Sequence, residues 1–186
     1  MKVLIISCSL NPNSRSFILA TQAITDLEKL GVSTQLLDLR EHPLELAGSS
    51  SSWGTPNAKM LSSAIRDADA ILMAVPIYNF YANAVAKNVI EVTGSVWNNK
   101  LVGFLCAAGG NASYMSVMNL ANSLMLDFRC LIIPRFVYAC KSDFSDGTKD
   151  QVNISSTEIK SRIKELTATT VELATALKGT HTKTSG

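Results

Sequence analysis

Apolar and polar positions along the chain fall into blocks of two different periods. Residues 2–7, KVLIIS, are almost unbroken apolar, the pattern of a strand covered on both faces. From Ser14 the spacing changes to three and four. Phe17, Ala20, Ile24, Leu27 and Leu30 form one helical stripe, and Gly31 supplies the stop. Residues 33–39 read as a second strand. Residues 40–57, which contain GSSSSWG, read as an irregular, mobile surface loop. A short helix over 58–67 leads into a third strand, ADAILMAV, which Pro76 is expected to end because proline has no N–H for a ladder. Residues 84–93 read as a helix, 101–106 as a fourth strand and 113–126 as a helix rich in Met and Leu. Residues 131–139 read as a fifth strand interrupted by Pro134, and 155–178 as an amphipathic helix. The polar stretch 180–186 is expected to be a disordered tail.

Strands that alternate with helices imply βαβ units, parallel pairing and right-handed crossovers. Five strands at this length suit an α/β, flavodoxin-like, three-layer doubly wound fold with a five-stranded parallel sheet in the order 2-1-3-4-5. No repeat or linker divides the chain, so residues 1–179 are expected to form a single domain. In that order the ligand crevice lies where the topology switches, at the carboxyl ends of strands 1 and 3. The loops after strands 1, 3 and 4 therefore carry the functional expectation.

Composition narrows the classes. Of 186 residues 47% are hydrophobic and 17% charged, which fits a globular protein with a large core. Seventeen Lys and Arg against fifteen Asp and Glu leave a formal +2, too balanced for a nucleic-acid stripe or an acidic carrier surface. No apolar run approaches the roughly 18 residues of a membrane span, and the first residues do not read as a signal peptide. A cytoplasmic location, with neither nucleic acid nor membrane as partner, is the expectation. The four cysteines, Cys8, Cys106, Cys130 and Cys140, form no CxxC pair and read as buried thiols. Cys8 is the exception to watch, since a helix N-terminus lowers a thiol's pKa. His42 and His181 lie far from any Cys or acidic cluster, which argues against a metal site or a Ser/His/Asp triad.

The loop after strand 1, SLNPNSRS, lacks the GK[ST] ending of a P-loop and the GxGxxG of a dinucleotide fingerprint. Two readings stay open. It is an ordinary turn capped by Ser14, or a cradle in which Ser9, Asn11, Ser14, Arg15, Ser16 and the helix N-terminus surround a phosphate. The loop after strand 3, PIYNFYAN, sets two tyrosines and a phenylalanine where a polar turn belongs. Such aromatics pack a core or wall a flat ligand. The loop after strand 4, AAGGNASY, has paired glycines that either tighten a turn or let a ligand approach the backbone. A phosphate end, an aromatic wall and a glycine floor together describe a flavin mononucleotide site.

These stretches resemble those of the NADPH-dependent FMN reductase family, which includes quinone, azo and chromate reductases. SLNPNSRS is similar to its Ser-Leu-Arg-x-x-Ser-x-Asn/Ser phosphate loop, with Asn11 where arginine is common and Arg15 as the loop's cation. PIYNFYANAVAKNVIE resembles its Pro-x-Tyr-Asn-x-Ser-x-Pro-x-x-Leu-Lys-Asn motif, with Ala84 near the usual proline and Ala86 at the usual leucine. AAGGNAS resembles its glycine-rich third loop. The likeness spans residues 2–137.

The resemblance implies FMN as cofactor and NADPH as hydride donor, with free FMN, a quinone, an azo compound or a metal oxyanion as acceptor. It assigns the phosphate to Ser9, Asn11, Ser14, Arg15 and Ser16. Pro76, Ile77, Tyr78, Asn79 and Phe80 would line the ribityl chain and ring, and Ala108, Gly109, Gly110 and Asn111 the ring's other edge. It assigns Lys87 a structural or interfacial role and no residue a catalytic one, and it implies a homodimer or homotetramer. The alternative is a flavodoxin-type electron carrier without NADPH oxidation of its own, but such carriers are strongly acidic. A receiver domain is set aside, because Ser7-Cys8-Ser9 and Val75-Pro76 stand where it needs acidic residues.

Overall fold

Strand β1 (Lys2–Ser7) sends Leu4 and Ile6 into one apolar core and Val3 and Ile5 into another. This is seen in the computed structural model, which describes residues 1–147 and 152–181. Successive side chains of a strand face opposite ways, so two cores call for two covering layers. Helices α1 (Arg15–Lys29) and α5 (Thr157–His181) supply one, through Leu19, Leu27 and Ile163. Helices α2 (Pro56–Asp67), α3 (Ala84–Thr93) and α4 (Met118–Phe128) supply the other, through Leu61, Val89 and Leu124.

The remaining strands are β2 (Ser33–Asp38), β3 (Ala70–Tyr78), β4 (Tyr81–Ala82), β5 (Leu101–Ala107), β6 (Leu131–Ile132) and β7 (Val137–Ala139). The sheet runs β2-β1-β3-β5-β6 with all these neighbours parallel; β7 also pairs with β5, and β4 pairs antiparallel with β3. The doubly wound parallel arrangement is the one expected; the strand count is seven rather than five. Pro134 explains one added strand. The Ile133 N–H still donates to the Val102 carbonyl at 2.8 Å. Pro134 then has no N–H to give, Arg135 turns to φ 60°, and the ladder resumes only at Val137.

The other added strand, β4, arises because Pro76 does not end β3 as expected. A strand residue's N–H and C=O point the same way, and the Pro76 carbonyl accepts from Asn83 N–H at 3.2 Å. The missing N–H of Pro76 therefore faces the returning chain rather than the ladder with β5, and β3 continues to Tyr78. Other boundaries differ by less. A 3-10 turn at Asn111–Val117 precedes α4. Helix α5 reaches His181, and 182–186 of the expected tail lie outside the described residues. The serine-rich stretch before α2 is fastened by Asn88, which accepts from Ala47 N–H at 2.8 Å and donates to the Glu45 carbonyl at 3.0 Å. No helix among the described residues is long and apolar enough to cross a membrane.

Candidate functional site

The three distinctive loops meet at the carboxyl ends of β1, β3 and β5. The first begins where the Cys8 N–H donates to the Ala74 carbonyl at 2.9 Å, carrying β1 to the sheet's edge. Ser9 Oγ accepts from Asn11 N–H at 3.2 Å, and Asn11 Oδ1 accepts from Asn13 N–H at 2.8 Å, which curls the loop toward α1. Ser14 caps that helix: its Oγ accepts from Phe17 N–H at 3.1 Å and lies 3.0 Å from Ser16 Oγ. The first N–H groups of a helix have no partner within it and concentrate positive potential. Arg15 adds a guanidinium 5.9 Å from the Phe144 ring centroid, and its Nε is buried without a hydrogen-bond partner. A buried donor left unpaired calls for an acceptor.

The second loop is a two-residue hairpin. Ile77 pairs with Ala82 and Tyr78 with Tyr81, leaving Asn79 at φ 50° and Phe80 at φ 63°. Both central residues in the left-handed region make a primed turn, whose twist matches that of the strands. Tyr78, Phe80 and Tyr81 remain 51%, 64% and 55% exposed. Behind them stands Asn83, buried, whose Nδ2 donates to the Cys8 carbonyl at 2.7 Å while its Oδ1 accepts from Ala86 N–H at 3.3 Å. One side chain thus caps α3 and ties the second loop to the first.

In the third loop Ala108 N–H donates to the Ala139 carbonyl at 2.9 Å, and the Tyr138 hydroxyl donates to the Gly110 carbonyl at 2.7 Å. Tyr114 packs edge-on to Tyr138 at 5.3 Å. Neither Gly109 nor Gly110 has a left-handed φ, and a Cβ on either would meet nothing within 4 Å. The fold's own geometry therefore requires glycine at neither position, and both border the cavity.

That cavity measures about 500 Å³, within the range of small-molecule sites. Of the fourteen residues expected from sequence, it brings together Ser9, Asn11, Ser14, Arg15 and Ser16; Pro76, Ile77, Tyr78, Asn79 and Phe80; and Ala108, Gly109 and Gly110. Asn111 stands apart, its Oδ1 accepting from the Cys140 thiol at 2.9 Å. Asn13, Ala107 and Ser113 line the cavity without having been expected. Asn83, which supports it from behind, was not among the expected residues; an asparagine directly before the helical stretch 84–93 is the signal that could have found it. A neighbouring cavity of about 660 Å³ shares Asn13, Ser14 and Arg15. Its other cation, Arg40, is engaged by Asp38 and stacked 4.4 Å over the Phe17 ring centroid. The three loops do not converge there.

Cys8 corrects an expectation. Helix proximity does not activate it: the thiol points into the core beside Leu4 and Ile6, donates to the Ile6 carbonyl at 3.8 Å, and burial pushes its pKa up. Lys87 forms an exposed ion pair with Glu91 at 3.4 Å. No group of His, Cys, Asp and Glu among the described residues is arranged to hold a metal ion.

The model of the NADPH-dependent FMN reductase family matches residues 1–144. A comparison with curated proteins gives no match. Among solved structures, RosB with a bound 8-demethyl-8-formylriboflavin-5'-phosphate intermediate superimposes with a TM-score of 0.77 at 19% identity, covering 97% of this chain and 81% of that one. The NAD(P)H:(acceptor) oxidoreductase FerB from Paracoccus denitrificans gives 0.74 at 16%, covering 94% and 97%. A flavodoxin from the domain Archaea gives 0.64 at 11%, covering 94% and 99%. At such identities these likenesses establish the flavodoxin-like fold alone. The family match spans most of the chain and includes all three loops, so the chain belongs to the NADPH-dependent FMN reductase family and is an NAD(P)H-dependent oxidoreductase.

Proposed function

We propose that the crevice binds FMN and that the chain passes hydride from NADPH through it to a small-molecule acceptor: free FMN, a quinone, an azo compound or a metal oxyanion. When bound, the flavin supplies the redox chemistry and the protein supplies binding and orientation. The hydroxyls of Ser9, Ser14 and Ser16, the Asn11 amide and the first amides of α1 surround the phosphate. The unpartnered Arg15 Nε gives that charge a buried donor. Pro76, Ile77, Tyr78 and Asn79 wall the ribityl chain and ring, and Phe80 stands beside them at the rim, 64% exposed. Ala108, Gly109 and Gly110 bound the opposite edge, where the two glycines, without side chains, let a planar ring lie against backbone amides.

One observation carries the reading. Three loops separated by some seventy and thirty residues of chain converge on one cavity at the switch point, with a buried Arg15 Nε lacking an acceptor at one end and exposed aromatics at the other. No side chain in the cavity has to act as acid or base, which agrees with the absence of histidine from its lining. An electron-carrier role fits less well, because the formal charge is +2. A cytoplasmic location and a homodimer or homotetramer complete the proposal. The latter is supported by exposed Met125 and Leu126 near the end of α4 and Met115 in the turn before it. The test is to purify the protein, record its visible spectrum, and assay NADPH and NADH oxidation with free FMN, a quinone and an azo dye. Turnover with NADPH and at least one acceptor is expected; oxidation of neither nicotinamide contradicts the proposal.

A further inference from the structure

The turn of the β3–β4 hairpin needs both central residues left-handed, a demand that Asn-Gly meets best. Asn79 suits its φ of 50°. Phe80, at φ 63°, does not, because a bulky side chain there crowds its own backbone. Neither apolar core nor a ring pair of the described residues holds it there. Phe80 is mostly exposed, makes no ring contact and joins neither apolar core. It does line the cavity, beside Tyr78. From Pro76 to Ala86 the chain has no charged residue at all. Strain of this kind persists at functional positions.

Resting on the FMN reductase reading, we propose that Phe80 is a specificity-determining residue, an aromatic platform at the cavity rim that favours flat, uncharged aromatic acceptors over compact anionic ones. A ring stacks on the Phe80 face with centroids roughly 4.5–7 Å apart, while an oxyanion meets no cation on the hairpin. In one turnover with a quinone, the nicotinamide donor loses a hydride, the quinone gains two electrons and two protons, and water supplies the second proton. With ferricyanide, two anions take one electron each and a proton is released.

The experiment compares the FMN-saturated parent with Phe80→Gly, which relieves the turn, and Phe80→Tyr, which keeps the ring. Binding of 1,4-naphthoquinone to the oxidised protein, with no donor present, is measured by calorimetry. The ratio of kcat/KM for the naphthoquinone to that for ferricyanide is measured with NADPH. Phe80→Gly should bind the quinone roughly tenfold more weakly and lower the ratio by a similar factor, the size of one lost aromatic contact. Phe80→Tyr should keep both near parental values, and the apoprotein of Phe80→Gly should melt no lower than the parent. Parental quinone affinity and ratio in Phe80→Gly overturn the proposal. So does a lower melting temperature, which makes Phe80 part of the fold, or a change of oligomeric state, which makes it a contact between copies. A parent that reduces neither acceptor contradicts the FMN reductase reading itself, and the role of Phe80 falls with it.

Discussion

The side-chain amide of Asn83 reaches across 75 positions of sequence to the Cys8 carbonyl, at 2.7 Å. The bond joins the loop assigned to the phosphate to the loop assigned to the ring, so the spacing of the two ends of the cavity depends on it. The same side chain caps α3, and the two roles are separable. Serine caps a helix as well as asparagine does but is too short to span to Cys8. Asn83→Ser should therefore weaken FMN relative to riboflavin by roughly tenfold, the scale of one buried hydrogen bond lost. Asn83→Ala should do the same and cost about 1 kcal/mol more in stability, from the lost cap. Fluorescence titration and chemical denaturation read the two effects. A parental FMN-to-riboflavin ratio in Asn83→Ser means that Asn83 is a cap alone.

Ser14 has a similar double duty. Replacing it with alanine removes a cap, costing about 1 kcal/mol of stability. If the loop is also a phosphate cradle, FMN affinity falls by a further factor of about 10 to 150, since a hydrogen bond to a charged group contributes roughly 1.5–3 kcal/mol. Arg15→Ala removes the guanidinium whose Nε lacks an acceptor, without touching the cap. It should weaken FMN and leave riboflavin, which has no phosphate, unaffected. Retention of parental FMN affinity by both variants would place the phosphate elsewhere.

The cysteines make a pH prediction. Burial raises all four thiol pKa values, Cys130 to about 11. The folded state thus holds its protons above the unfolded thiol pKa of about 8.5. Their contribution is fully present below that value and is lost as pH climbs above it, for Cys130 through about 11. The melting temperature should be insensitive to thiol ionisation at pH 7–8 and fall between pH 9 and 11. In parallel, a thiol reagent at pH 8 should label the native protein far more slowly than the denatured one. Rapid labelling of native Cys8 would contradict its place in the core.

How much of this was legible in the sequence varies with the physics of each element. The unbroken apolar run of β1 announced burial on both faces because each face meets its own core. Ser14 was readable as a cap because the helical period begins directly after it. Cys8 was readable too: it continues the alternation Leu4, Ile6, Cys8 into one core, a signal masked by the nearby helix N-terminus. The β4 hairpin was hidden, since Asn-Phe is not a pair that announces a primed turn and Pro76 suggested a stop. Asn111 stands outside the cavity with its side chain bonded to the Cys140 thiol, a long-range partner of which neighbouring sequence holds no trace.

Assembly is checked by light scattering at micromolar concentration. Met125 and Leu126, adjacent near the end of α4, are 37% and 83% exposed, apolar surface that association would cover. A dimer or a dimer of dimers is expected, and a monomer contradicts it.

In the proposed function the first loop closes on a terminal monophosphate. Titrating apoprotein with FMN, FAD and riboflavin, and following quenching of flavin fluorescence, tests it directly. FMN should bind tightest, with FAD weakened by its second nucleotide half and riboflavin by its missing phosphate. Equal affinity for the three flavins, or no binding of any, contradicts it.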